Sequence, residues 1–167
     1  MITKRELSAV MQRECDICVH LSSKFETAGY EYRPSPGQRS TIELMRYLAI
    51  SGSAGLQAMA ESSFASFAAA SARVKEMTPS EFPAAMARQK LEIAAFFDGL
   101  TEEDLATREV SLPGRPTTTL GMAILAGPFI WLPAYKLQLF LYAKAAGATE
   151  IGTSNAWRGV DAPPKVA

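Results

Sequence analysis

The stretch Thr118–Gly147, TTLGMAILAGPFIWLPAYKLQLFLYAKAAG, decides how the chain folds. Drawn as a helix, it carries apolar side chains on every side: Ile124, Leu125, Phe129, Ile130, Trp131, Leu132, Leu137, Leu139, Phe140 and Leu141. A helix that is apolar all round is buried all round. One face enters a helical bundle and the other requires a partner, so the pattern predicts a homodimer sharing this last long helix. Thr118 or Thr119 is placed to cap its N-terminus, and Gly147 to stop it. Pro128 and Pro133 each remove one backbone hydrogen bond and predict kinks. With Lys136 and Lys144 they also interrupt the run, which argues against a membrane span of about 20 mainly apolar residues.

Working outward, three more helical segments precede it. From Thr3 to Thr27, the residues Leu7, Val10, Met11, Cys15, Cys18, Leu21 and Phe25 recur at three- and four-residue steps and make one apolar stripe. Gly29 ends this segment, and Arg33-Pro34-Ser35-Pro36-Gly37 reads as a turn-rich linker. Ser40-Thr41-Ile42-Glu43 is a capping box that opens a second helix with Ile42, Met45, Leu48 and Ala49 on one face. The run Ser51-Gly52-Ser53-Ala54-Gly55 weakens or bends that helix, and a further break is expected near Ser62-Ser63 before the Ala- and Phe-rich stretch ends at Val74. Thr78-Pro79-Ser80-Glu81 is another capping box, leading a helix with Phe82, Met86, Gln89, Ile93, Phe96 and Leu100 on its stripe. Thr101-Glu102-Glu103-Asp104 predicts a short helical turn, and Val110 to Pro116 a loop. No strand pattern or repeat stands out. The expected fold is all-α, an up-down four-helix bundle over residues 1–147. A polar tail, 148–167, packs on it with Trp157 as anchor.

Composition excludes several functions. The chain is 167 residues with 17 Lys+Arg and 17 Asp+Glu, so no net positive field points to nucleic acid. Met1 is followed by the charged stretch Thr3-Lys4-Arg5-Glu6 rather than an apolar signal core, and the expectation is a cytoplasmic protein with reduced thiols. One histidine, His20, cannot supply a three-histidine zinc site or a two-histidine iron site. It lies off the apolar stripe and reads as a surface residue. Cys15-Asp16-Ile17-Cys18 falls mid-helix on the stripe, where buried, inert thiols are expected rather than a redox pair. The carboxylates Glu102, Glu103 and Asp104 complement a helix N-terminus. No phosphate-binding glycine loop or nucleophile elbow is present.

Three stretches together resemble the DinB-like superfamily of bacterial four-helix-bundle proteins. One is Arg33-Pro34 to Gly37 with Arg39-Ser40-Thr41-Ile42-Glu43 and Tyr47-Leu48-Ala49. It is similar to the family's Arg-Pro…Pro-Gly, Trp-Ser, Glu and His-Leu pattern. The second is the Leu100-Thr101-Glu102-Glu103-Asp104-Leu105 turn. The third, Trp131-Leu132-Pro133-Ala134-Tyr135-Lys136-Leu137-Gln138-Leu139 with Gly147 beyond, resembles the family's H-x-x-x-H-R-x-Q-L and terminal glycine. The resemblance spans roughly residues 5 to 150.

Many members of that family hold a divalent metal with three histidines, and some act as metal-dependent thiol transferases, isomerases or hydrolases. The positions matching those ligands are Tyr47, Trp131 and Tyr135. Indole has no lone pair to offer, and a phenol must first lose a proton with a pKa of about 10. The departure implies no metal and no cofactor. Residues 131 and 135 are four apart and still share one helix face. Two readings of the three aromatics follow. In one they fill the cavity as core; in the other they line a pocket for a small apolar or aromatic ligand, with Arg46 or Gln138 as polar contact. The expected function is accordingly a metal-free DinB-like protein without an assigned reaction. The alternative is a divergent enzyme related to the metal-dependent thiol transferases and hydrolases.

Overall fold

In the computed structural model, which describes residues 2–112 and 114–163, the chain is predominantly helical. Its α-helices are α1 (Lys4–Ser22), α2 (Thr41–Ser51), α3 (Ser53–Glu61), α4 (Ala65–Arg73), α5 (Phe82–Asp98), α6 (Glu102–Thr107), α7 (Leu120–Leu125), α8 (Pro128–Ala145) and α9 (Thr153–Arg158). The expected helical bundle is present. Its walls are α1, α2 with α3, α5 and α8. α1 packs on α5 and α8, and α2 packs on the same two helices. The order round the bundle is therefore α1, α5, α2, α8: α2 and α5 are neighbours, α5 and α8 lie across one diagonal, and α1 and α2 face each other across the other. The segment 23–40, with a 3₁₀ turn at Thr27–Glu31, spans that diagonal. It is long enough because α1 ends at Ser22 and not at Thr27 as the apolar stripe suggested.

The caps lie where the side chains predict them. Thr3, Ser40 and Thr101 each accept a hydrogen bond from the backbone N–H three residues on, and Glu6, Glu43 and Asp104 reach back to the cap. These bonds hold all three carboxyls below their ordinary range, with the Thr3, Ser40 and Thr101 contacts the leading causes. The break after α3 falls at Ser62, whose φ of 53° is left-handed. One element was not expected: Glu109 and Val110 form a short antiparallel pair with Thr118 and Thr119.

The bend between α2 and α3 has a specific cause. A straight helix would bond the Gly52 N–H to the Leu48 carbonyl. Here the side-chain amide of Gln89, from α5, is inserted between them. Its Oε1 accepts from Gly52 N at 2.9 Å and Ser53 N at 3.3 Å, and its Nε2 donates to Leu48 O at 2.9 Å. The same nitrogen lies 3.6 Å from Cys15 Sγ on α1. Gln89 is fully buried, so these bonds replace the water it has lost.

The last helix is interrupted, although not by a proline within it. α7 ends at Leu125, the backbone turns at Gly127 (φ −122°, ψ −112°), and Pro128 occupies the first turn of α8, where no N–H is needed. Pro133 lies inside α8. Leu120–Ala145 is apolar and long enough to cross a membrane by length and composition alone. In this structure it is divided at Gly127, and α8 packs between α1 and α2. α8 also buries Lys136 completely, with Nζ 2.7 Å from Glu14 Oε2 of α1. The contact is ionic without hydrogen-bond alignment. Removing either partner would strand a buried charge.

Residues 148–163 return along α1 and α8, and the rest of the tail lies outside the described residues. Trp157 does not anchor this segment by burial: it is 52% exposed, and its ring lies 4.6 Å from Lys136 Nζ. The buried residues are Ile151, Asn155 and Ala156. His20 is likewise not a free surface group. Its side chain is only 17% exposed, and Asn155 Nδ2 lies 3.0 Å from His20 Nε2. Cys15 and Cys18 are free and buried. Burial pushes the Cys15 thiol up to about 12 and Cys18 well above the usual thiol range, as expected of inert thiols.

Two predictions follow from these contacts. Gln89→Leu keeps the volume but leaves the Gly52 N–H and Leu48 carbonyl unpaired in the core, so urea unfolding should show a loss of about 2–4 kcal/mol. A loss below about 1 kcal/mol would mean that the helix closes on itself without the amide. The second concerns pH. Burial first, and Lys24 second, lower the His20 pKa, against an opposing pull from Asp161. The unfolded chain therefore takes up this proton at higher pH than the folded chain. Stability should fall as pH drops through about 6.5, with the decline complete below the folded pKa. Unfolding midpoints at pH 7.5 and 5.5 should differ less in His20→Gln than in the parent. An equal difference would remove His20 as the source.

Candidate functional site

The site is organised by the start of α2. Glu43 Oε2 accepts from the Ser40 N–H at 2.7 Å and pairs with Arg33 at 2.9 Å, which fixes the helix entry. Arg39 then sits just before the helix, and Arg46 and Tyr47 lie on its second turn. Across from them, α8 presents Trp131, Tyr135, Gln138 and Tyr142 at helical spacing. Phe67 of α4 lies between the two.

The rings pack directly on one another. Tyr47 and Tyr135 are 4.6 Å apart between centroids at 62°, and Tyr47 and Phe67 are 5.8 Å apart. Phe67 meets Trp131 edge-on at 6.5 Å. These are the separations at which aromatic pairs attract beyond simple burial. The Arg39 guanidinium covers the group, 4.4 Å from the Tyr47 centroid and 5.7 Å from that of Tyr135. The Arg39 backbone is held too: the Tyr142 hydroxyl donates to its carbonyl at 3.1 Å and accepts from Gln138 Nε2 at 2.6 Å. On the other side, the Trp131 ring lies against α3. A Cβ at Gly55 would come within 3.3 Å of it.

Tyr47 also lines an open pocket of about 170 Å³, with Arg39, Glu43, Arg46, Ile50, Ser71, Val74 and Lys75. Arg46 is steadied there by donating from Nε to the Met77 carbonyl at 2.9 Å. Burial chiefly, and then the neighbouring Tyr135, push the Tyr47 phenol up to about 12, while Arg39 opposes them. Tyr47 is a neutral hydroxyl at physiological pH.

The structure thus brings Tyr47 and Tyr135 into contact and joins Trp131 to them through Phe67. Arg46 borders the same pocket as Tyr47. Gln138 is committed to Tyr142, and so acts on Arg39 at one remove. Arg39, Phe67 and Lys75 escaped the sequence reading. Arg39 had one signal, its place in the Arg39-Ser40 stretch before the capped helix; Phe67 and Lys75 had none, because neither α4 nor the turn after it carries a chemical motif.

The donor set does not fit a divalent ion. Trp131 has no lone pair to give, and Tyr47 resists the deprotonation that coordination would need. Among the described residues, no three His, Cys, Asp or Glu side chains are grouped to hold a metal.

A search of solved structures finds a crystal structure of a DinB-like protein from Bacillus subtilis, YjoA. It superposes with a TM-score of 0.68 at 20% sequence identity, covering 88% of this chain and 96% of that one. The fold is DinB-like. No protein-family model and no curated protein sequence matches the chain.

Proposed function

We propose that this DinB-like bundle is a metal-independent binding protein that takes a small apolar or aromatic ligand at Tyr47, Trp131 and Tyr135. The observation that carries the reading is the Arg39–Tyr47–Tyr135 arrangement beside an open pocket: a cation over two phenols in edge contact, where a metal-dependent relative would need imidazoles. Trp131 and Phe67 extend the apolar surface behind it. Arg46 supplies a polar edge, and Gln138 supports Arg39 through Tyr142. The two free, buried cysteines suit a reducing cytoplasm.

Elemental analysis of the purified protein tests the central claim. Sub-stoichiometric zinc and nickel are expected. A stoichiometric metal would overturn it and favour the alternative, a divergent metal-dependent enzyme.

We further propose that the protein works as a homodimer through α8. Ile130, Leu137 and Leu141 are 55%, 37% and 54% exposed, and with Ala134 they fall at four-, three- and four-residue steps. That is the spacing of a helix–helix seam. The stripe carries no charge, so two copies meet without like-charge repulsion. A second copy of this chain is its best-matched occupant. Light scattering at micromolar concentration should give twice the chain mass, and Leu137→Glu with Leu141→Glu should give the monomer. A monomeric parent would remove the dimer.

A further inference from the structure

The pocket beside Tyr47 has an unbalanced charge. Arg39, Arg46 and Lys75 line it, against one carboxylate, Glu43. Glu43 is already engaged by Arg33 and by the Ser40 N–H. Among the described residues, none of the three cations forms a salt bridge, although the whole chain is formally neutral. Two of them are also held in place. The Arg39 guanidinium rests on Tyr47, with its backbone tied to Tyr142. Arg46 spends Nε on the Met77 carbonyl, and its terminal nitrogens have no hydrogen-bond partner among the described residues. Cations already ordered lose little freedom when they bind.

The geometry points to an anion site: we propose that Arg39, Arg46 and Lys75 receive the carboxylate or phosphate head of a compact aryl anion whose ring lies on Tyr47, Ile50 and Val74. The inference rests on the small-ligand reading and adds the charge of the ligand. Guanidinium groups offer paired N–H donors that match the oxygens of either head. The pocket, about 170 Å³, lies below the roughly 300 Å³ at which drug-sized sites begin, so a compact ligand suits it better than a nucleotide.

Calorimetric titration of the full chain with benzoate, phenyl phosphate, inorganic phosphate and benzamide tests this. Both aryl anions, or one of them, should bind at least tenfold more tightly than benzamide, and binding should weaken as salt rises. The tighter of the two identifies the preferred head. Lys75→Gln changes an exposed side chain and should leave folding intact while weakening the anion about tenfold; Arg46→Gln should do the same or more. Benzamide binding as tightly as benzoate would overturn the anion assignment and leave the aromatic site standing. Inorganic phosphate binding as tightly as phenyl phosphate would keep the cationic site and remove the aromatic one. Anion binding unchanged in both variants, or no binding at millimolar concentration, would overturn the assignment.

Discussion

The Gln89 side-chain amide, inserted into the backbone of the α2–α3 helix, is the constraint on which the rest of the bundle depends. One planar group accepts from Gly52 and Ser53 and donates to Leu48, while its own helix packs on α1. It does in the core what water does at a helix end, and it does so without leaving an unpaired donor. Glycine at position 52 is part of the same device: an added Cβ would lie 3.2 Å from the Gln89 oxygen. The bend therefore follows from a pair of residues on different helices.

What the bend positions is the functional face. α2 carries Arg46 and Tyr47 toward α8, whereas α3, past the inserted amide, brings Gly55 under the Trp131 indole. A second polar chain acts at the helix entry, running from Gln138 through the Tyr142 hydroxyl to the Arg39 carbonyl. The aromatic group is thus gripped from the side by α3 and from the end by α8. Both grips come from residues that never touch the pocket.

Much of this architecture is legible in the residues. The capping boxes at Ser40 and Thr101 mark helix starts because a hydroxyl and a carboxylate three apart satisfy two orphan donors locally. The apolar run Thr118–Gly147 identifies a bundle helix, but only one face of α8 is buried, at Leu132, Lys136, Leu139 and Ala143, while Ile130, Leu137 and Leu141 stay exposed. Tyr47 and Tyr135 are paired in the sequence only by the resemblance to the DinB-like pattern, whereas helical spacing relates Tyr135 to Trp131. What could not be read depends on partners distant in sequence. Gln89 falls on an apolar stripe, and only the opposing Gly52 explains an amide there. Arg39 precedes a helix, where its backbone carbonyl is held by Tyr142 about a hundred residues on and its guanidinium lies over Tyr47. Trp157 drew attention by its size, yet the tail is held by Asn155 and Ile151, which are less conspicuous. The helix break at Gly127 is a backbone property, and the nearby prolines only hint at it.

The packing of Trp131 against glycine has a consequence for any attempt to convert this bundle into a metalloprotein. The indole is fitted against the bare backbone of Gly55 and lies near Gly127, where an added Cβ would be 3.6 Å away. Histidine at position 131 would be smaller and would leave a void lined by backbone on one side. An alanine at position 55 could not fill it, because its Cβ would fall 2.8 Å from Pro128. Histidines at positions 47, 131 and 135 would thus gain donors while losing the surface that holds imidazole rings at fixed angles. Interconversion between the two kinds of site is a matter of backbone approach as much as of ligand identity, and three substitutions in the first circle of residues would not complete it.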